Sequence, residues 1–197
     1  MIELPYEAVP NGATPAYLDF GGFLTPGLGG RVQRIDRMGN RFRVAFTFPP
    51  MEADGLGRIV VSRLIRAKTE GIRIELPQLG FKLGAPGAPR VNGGGQAGKT
   101  LVVDGLTPRY PVREGQWFNH VRGADVMLYN VTAGVAADAS GQATLAISPM
   151  LRVEPLDNDV INFARPVIQG YVHGEDWQWQ MSLAHHLGIA FEVEEYV

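Results

Sequence analysis

A glycine-rich segment of eight residues has the residue types of a nucleotide-binding site. Residues 93–100 read GGGQAGKT and fit the phosphate-binding loop pattern G-x-x-x-x-G-K-[ST] at every position. In such a loop the backbone N–H groups surround the phosphates, the lysine reaches the outer phosphates, and the last hydroxyl holds magnesium. This chemistry at Lys99 and Thr100 would make the protein a nucleotide hydrolase.

The residues on both sides of this segment favour a different structure. A phosphate-binding loop follows a buried strand and opens a helix, whose N-terminus faces the anion. Residues 84–92 contain two prolines and two glycines, which suit a central strand poorly. Residues 101–103 are β-prone and precede a turn at Asp104 and Gly105, so we predict a strand there. We expect a glycine loop that leads into a strand, and keep the hydrolase as an alternative that a helix starting at Lys99 would support.

The remaining candidates for catalysis or metal binding are scattered along the chain. The four histidines lack metal-site spacing, and we expect them at the surface or in interfaces: His120, His173, His185 and His186. Cysteine is absent, and Ser140 lies in a predicted turn rather than in a nucleophile motif. Residues 157–159 do not complete a calcium loop and predict another turn. We therefore predict no catalytic, cofactor-binding or metal-binding residue, and no enzyme activity.

Composition narrows the class of protein further. The 197 residues suit one domain, and 45% hydrophobic content supports a real core. A net charge of −2 argues against a nucleic-acid-binding protein. The sequence has no apolar run long enough for a membrane helix, and we read no signal peptide at its N-terminus. Its 25 glycines and 14 prolines are spread between short apolar runs, which is typical of a turn-rich β protein.

Alternation of apolar and polar residues predicts a β-hairpin near the start of the chain. Residues 31–37 and 41–48 alternate, with a turn expected at residues 38–40. The apolar face of the second strand carries four residues: Phe42, Val44, Phe46 and Phe48. Five arginines lie on the hairpin: Arg31, Arg34, Arg37, Arg41 and Arg43. They form either a solvated sheet face or a contact with an acidic partner.

One helix and many further strands complete the predicted architecture. Apolar spacing predicts a helix near residues 51–70 that ends at Gly71, with Gly55 and Gly57 weakening its first turn. Later strands are expected at residues 72–76, 101–103, 126–131, 142–148, 160–163, 166–172, 177–181 and 189–197. Residues 77–92 look irregular and long enough for a contact loop. The prediction is a mainly β, antiparallel sandwich or barrel with one main helix, forming a single domain over residues 1–197 with an irregular loop insertion at about 77–99.

The order of several short segments is familiar. The segments are 30–34 (GRVQR), 48–51 (FPPM), 95–101 (GQAGKTL), 114–118 (EGQWF), 137–145 (ADASGQATL), 147–152 (ISPMLR) and 164–167 (ARPV). This order resembles distal tail proteins and related tail-tip proteins of long, non-contractile-tailed bacteriophages. The resemblance implies a structural protein of the virion, assembled in the bacterial host cytoplasm into a ring, commonly a hexamer. That ring would join the tail tube protein to the tail hub and tip proteins, without an active site, a membrane or nucleic-acid sequence recognition.

Two expectations about surfaces follow. Rings need two different patches on each subunit, and we expect them among the arginine-rich hairpin, the loop at residues 77–92 and the acidic C-terminal segment: Glu192, Glu194 and Glu195. An alternative function is a carbohydrate-binding β-sandwich at the receptor-binding tip. It would use exposed tryptophans as a platform, whereas tryptophans buried in the core would remove it: Trp117, Trp177 and Trp179.

Overall fold

The computed structural model describes residues 1–196 and confirms a mainly β fold with one main helix. The first half contains β1 (Ile2–Glu3), β2 (Gly12–Leu18), β3 (Gly22–Leu24), β4 (Gln33–Ile35), β5 (Arg41–Thr47), β6 (Met51–Glu52), α1 (Leu56–Glu70), β7 (Ile72–Glu75) and β8 (Gly87–Val91). The second half contains β9 (Thr100–Leu106), β10 (Pro111–Val112), β11 (Trp117–Arg122), β12 (Asp125–Ala133), β13 (Val135–Ala136), β14 (Ala143–Ser148), β15 (Val160–Asn162), β16 (Val167–Val172), β17 (Gln180–Met181), β18 (His186–Gly188) and β19 (Ala190–Glu195).

A six-stranded sheet is built from both ends of the chain. Its strand order is β1-β7-β16-β19-β5-β2, and every pair is antiparallel except β1 with β7. The alternation predicted for β5 is confirmed, since Phe42, Val44 and Phe46 are buried while Arg41 and Arg43 face the other side. The sheet therefore has one apolar face and one charged face.

Helix α1 packs on the apolar face of this sheet. It buries Val60, Val61, Leu64 and Ala67 in the same hydrophobic cluster as the sheet residues. It begins at Leu56, later than the start of the predicted range, because Met51 and Glu52 form β6 and Gly55 at φ 104° breaks the backbone before it. Gly71, at φ 73°, ends the helix as expected and donates its N–H to the carbonyl of Ala67.

A closed six-stranded barrel forms the second layer. Its strands follow the order β11-β12-β14-β9-β8-β15 and enclose a separate apolar cluster around Phe118, Tyr129 and Phe163. The irregular stretch expected at residues 77–92 is wrong in its second half, since β8 lies between β9 and β15. Its Pro89 sits in a register shift, where the missing N–H does not interrupt the ladder.

The predicted hairpin of residues 31–48 is also wrong. Strand β5 pairs with β2 and β19, whereas β4 pairs with β3. The chain reverses between β3 and β4 within residues 25–32, and the turn expected at residues 38–40 is present but leads into a strand, β5, that does not pair with β4. Asn40 ties this turn to the end of β2, since its side chain accepts the N–H of Phe20 at 2.7 Å and donates to the Tyr17 hydroxyl at 2.9 Å. Alternation sets the face of a strand but leaves its partner undetermined.

A buried ion pair joins the barrel to the sheet. Arg152, which follows the barrel strand β14, donates to both carboxylate oxygens of Glu195 at 2.9 Å, and the two side chains are 3% and 2% exposed. Glu195 also accepts the backbone N–H groups of Phe42 in the sheet and Leu128 in the barrel, each at 2.8 Å. Leu128 itself packs in the sheet's cluster. This carboxylate lies at the junction, not in the surface patch where we expected it.

Candidate assembly surfaces

The glycine-rich loop at residues 93–100 connects strand β8 to strand β9 of the barrel. Strand β9 begins at Thr100, so the predicted strand at residues 101–103 is confirmed, and no helix starts at Lys99. Within the loop, the N–H of Gly93 donates to Asp157 Oδ1 at 2.8 Å, and the N–H of Gly95 donates to the Pro155 carbonyl at 3.1 Å. Donors that would surround a phosphate are thus occupied by the neighbouring turn.

The side chain of Gln96 bonds further backbone groups on both sides of this loop. Its amide N–H group donates to the carbonyls of Asn92 at 3.0 Å and Gly93 at 2.8 Å, and its oxygen accepts the N–H of Val102 at 2.7 Å. Lys99 forms an ion pair with Asp36, far along the chain. The loop therefore has a structural explanation for the glutamine and the lysine of its sequence motif.

His120 corrects the expectation that all four histidines lie at the surface. It is fully buried on the interior face of β11, beside Phe118, and its Nε2 lies 2.8 Å from Asp159 Oδ2. Burial lowers the pKa of His120, and the Asp159 carboxylate opposes that shift. The sequence did carry a signal for this burial: His120 lies two residues after Phe118, so the two side chains are on the same face of strand β11. His173, His185 and His186 are exposed.

The other acidic and hydroxyl candidates serve turns. Asp138 Oδ1 accepts the N–H groups of Gln142 at 2.9 Å and Ser140 at 2.8 Å, and these hydrogen bonds lower the pKa of Asp138. Asp157 and Asp159 bind backbone N–H groups of neighbouring segments. In the described part of the chain, residues 1–196, no three acidic or histidine side chains converge in a way that could hold a metal ion.

The two charged segments expected to face neighbouring subunits meet each other inside one chain. Arg41 lies 2.6 Å from Glu194, and Arg43 lies 3.2 Å from Glu192. The cause is the pairing of β5 with β19, which places both rows on the charged face of the sheet. Arg41 and Arg43 are therefore already paired within the chain, whereas Arg31 and Arg37 of the same arginine-rich segment have no ion-pair partner among residues 1–196.

One candidate assembly surface is a β-arm, defined here as residues 19–40, which interrupts the hairpin of β2 and β5. It contains the two short strands β3 and β4 and a proline- and glycine-rich turn. Its exposed apolar residues are Phe20, Phe23, Leu24, Leu28, Val32, Ile35 and Met38. Leu28, at the turn, is fully exposed between Gly27 and Gly29. A two-stranded ribbon is marginally stable alone in water, and a cluster of exposed apolar residues of this kind is typical of a contact surface.

A network of charges fixes the base of the arm. Arg34 pairs with Asp19 at 2.6 Å and with Asp36 at 3.1 Å, and its guanidinium lies 4.9 Å from the ring centre of Phe23. The ion pair of Asp36 with Lys99 attaches the arm to the barrel loop. Hydrogen bonds from Arg34 lower the pKa of Asp19, and those from Lys99 and Arg34 lower the pKa of Asp36. These ion pairs fix the orientation of the arm relative to the barrel loop.

The second surface is a cleft at the other edge of the sheet, between residues 3–10 and β7. Its volume is about 750 Å³, and its lining includes Pro5, Tyr6, Val9, Ile74 and Val167. Tyr6 and Val9 are exposed. The lining also includes the carboxylates of Glu3 and Glu7, which have no ion-pair partner among residues 1–196.

The tryptophans divide into core and surface residues. Trp117 is half-buried, with its ring centre 4.8 Å from that of Phe42. Trp177 is half-buried and donates its Nε1–H to the Ala190 carbonyl at 2.8 Å. Trp179 stacks on Trp177 at 5.1 Å, is 36% exposed, and lines an open cavity of about 530 Å³ with Gln178 and Gln180.

Comparison with known proteins finds neither a matching family model nor a matching curated protein. Among residues 1–196, α1 is too short and too polar to cross a membrane. The two surfaces at opposite edges of the sheet are therefore the features on which a function has to be argued.

Proposed function

We propose that this protein is a structural component of a phage tail tip, similar to a distal tail protein. Copies of the chain form a ring, a hexamer by resemblance, between the tail tube and the tail hub. The observation that carries the proposal is the presence of two different incomplete surfaces, the arm and the cleft, at opposite edges of one sheet. Head-to-tail contacts of two unlike patches are what a closed ring requires. The order of sequence segments described above supplies the phage context.

The proposal assigns no catalytic, cofactor-binding or metal-binding role to any residue. The loop at residues 93–100 is explained by its contacts with Asp157, Pro155 and Asp36. Its strand at Thr100 leaves no helix N-terminus to face a phosphate. A nucleotide hydrolase therefore receives no support from this loop.

The test is the particle that the purified full chain forms. Light scattering during size-exclusion chromatography, followed by electron microscopy of the same fractions, measures mass and symmetry together. We expect a ring with a central opening wide enough for a tail channel. A chain that stays monomeric at its solubility limit, or that forms only a closed two-fold dimer, would contradict the proposal.

A carbohydrate-binding site is a second candidate, favoured by Trp179 alone. An exposed indole face stacks on sugar rings, and the amides of Gln178 and Gln180 beside it can donate to and accept from hydroxyls. Titration with cell-surface oligosaccharides, followed by tryptophan fluorescence, tests it. Binding that Trp179→Ala removes and Leu183→Ala retains would support a receptor-binding role, and no binding by the unmodified protein would dismiss it.

A further inference from the structure

The arm and the cleft lie at the two ends of the same strand order. The arm emerges between β2 and β5, and β2 is one edge of the sheet. The cleft lies beside β7 and the short β1, at the other edge. The segment that lines the cleft, residues 3–10, leads to Gly12 at the start of β2, whereas the arm leaves β2 after Leu18, at the other end of this seven-residue strand. The arm's base is fixed by Arg34 and Asp36 at the far end, which keeps it away from the cleft of its own chain.

The apolar parts of the two surfaces have matching forms. Leu28 protrudes alone from the turn, because the glycines on both sides of it lack side chains. The cleft presents Pro5, Tyr6 and Val9 around an open space larger than a leucine side chain. A protruding side chain and an apolar hollow are the usual components of the central part of an interface.

The unpaired charges of the two surfaces are complementary. Among the other charged residues that line the cleft, Glu75 pairs with Arg165 and Arg73 donates to Gln169. Arg31 and Arg37 on the arm are exposed and have no ion-pair partner among the described residues. Glu3 and Glu7 at the cleft are equally exposed and equally unpaired within residues 1–196. The two arginines of one copy and the two glutamates of another would neutralise each other at the rim of a contact.

Prolines at both edges disfavour the simpler contact, in which two sheets join strand to strand. Pro15 lies within the edge strand β2, Pro5 follows β1, and Pro77 follows β7 closely. Proline removes a backbone donor and is a common protection of sheet edges. Contact between two copies is then left to the side chains of the arm, which can dock at the cleft of another copy.

We propose that the arm of one copy seats Leu28 in the cleft of the next copy, with Arg31 and Arg37 facing Glu3 and Glu7. Repetition of this contact connects the copies head to tail. The inference rests on the ring proposed above and names the residues that close it. The partner that fits this cleft is thus a second copy of the same chain.

Site-specific cross-linking tests the contact directly, since the chain has no cysteine of its own. Gly27→Cys places a thiol beside Leu28 in open space and keeps the leucine, and Val9→Cys places one in the cleft. We expect a short bifunctional maleimide to join the two single variants when they are mixed. Each variant alone should give few cross-linked dimers, and Ile59→Cys on α1 mixed with either is the control.

Substitutions test the energetics of the same contact. Leu28→Ala should weaken self-association about tenfold or more, as expected for losing one buried leucine at an interface. Leu183→Ala is the matched control, because that leucine is also fully exposed but lies outside both surfaces. Arg31→Glu with Arg37→Glu should weaken assembly, and combination with Glu3→Lys and Glu7→Lys should restore it.

The outcomes separate this inference from the proposed function. A ring whose mixed cysteine variants do not cross-link, and whose assembly Leu28→Ala leaves unchanged, would overturn the arm contact and leave the ring standing. Cross-linking of Gly27→Cys with itself would indicate a tip-to-tip contact and would overturn the head-to-tail arrangement. A chain that remains monomeric would remove the function and the inference together.

Discussion

The barrel and the sheet of this protein use β-strands in opposite ways. The barrel closes on itself, so each of its six strands has a neighbour on both sides, and Phe118, Tyr129 and Phe163 pack in its own apolar cluster. The sheet stays open and ends in an apolar arm at one edge and an apolar cleft at the other. Closure removes the edges through which strands meet partners, whereas an open sheet has to protect or use them.

The two regions also differ in which side chains they leave exposed to solvent. The barrel's loops bond much of their backbone within the chain, as the contacts of Gln96 and Asp157 with nearby backbone groups demonstrate. The sheet's edges leave apolar side chains and unpaired charges in solvent. We infer that the barrel is the rigid body and that the sheet carries the contacts with other copies.

The largest expected effect comes from separating the two regions at their junction. Glu195→Ala leaves Arg152 charged and buried, and removes the acceptor for the N–H groups of Phe42 and Leu128. We expect a loss of about 3–5 kcal/mol in the free energy of unfolding, measured by urea denaturation. Glu192→Ala is the control: its pair with Arg43 is partly exposed and should contribute less than about 1 kcal/mol. Equal losses in the two variants would show that the junction does not couple sheet and barrel.

A smaller effect, confined to the barrel, is expected from pH. Burial lowers the pKa of His120 in the folded state, and Asp159 opposes this while Arg122 and Arg152 add to it. The unfolded histidine titrates at about pH 6.5 and the folded one at a lower pH, so the unfolded state binds more protons between the two, and stability present above pH 6.5 falls as the pH drops. His120→Gln should reduce this slope in urea unfolding measured between about pH 5 and 8. His186→Gln, at an exposed site, should keep it; equal slopes in all three proteins would contradict the assignment.

The smallest expected effect concerns the arm alone. Asp36→Asn removes the ion pairs with Arg34 and Lys99 that attach the arm to the barrel loop. Hydrogen exchange should become faster in β3 and β4 and stay unchanged in the barrel strands, with little change in global stability. Asp54→Asn, which removes only a long, exposed pair with Arg58, serves as the control. Protection of the arm that is unaffected by Asp36→Asn would mean that other contacts orient it.

Local patterns predicted much of the sheet and little of its connectivity. The alternation in β5 and the stop at Gly71 depend on neighbours in the chain, and both are confirmed. The pairing of β4 with β3 and the hydrogen bonds of Asn40 with Tyr17 and Phe20 join residues that are not neighbours in the chain, which no local pattern encodes. The pairing of Arg41 and Arg43 with the C-terminal glutamates was unpredictable for a similar reason, since β19 returns from the far end of the chain to lie beside β5.

The candidate surfaces were the least predictable part. An exposed Leu28 and a buried Ile74 are both simply apolar in the sequence, and only the fold reveals which one meets solvent. His120 is the converse case, a polar residue that the fold encloses beside Phe118. Residue type biases burial, but the packing of the assembled layers decides which of the apolar residues are buried.

The sequence by itself determined a turn-rich β protein with one helix, and it determined that the glycine-rich loop at residues 93–100 leads into a strand. These features follow from backbone preferences of glycine and proline and from the two periodicities of side chains, which act over a few residues. Tertiary structure alone decided which strands pair, where the barrel closes, that Glu195 is buried against Arg152, and that the arm and the cleft lie at opposite edges. Those outcomes depend on contacts between residues far apart in the chain, whose pairing is set by the packing of the whole molecule.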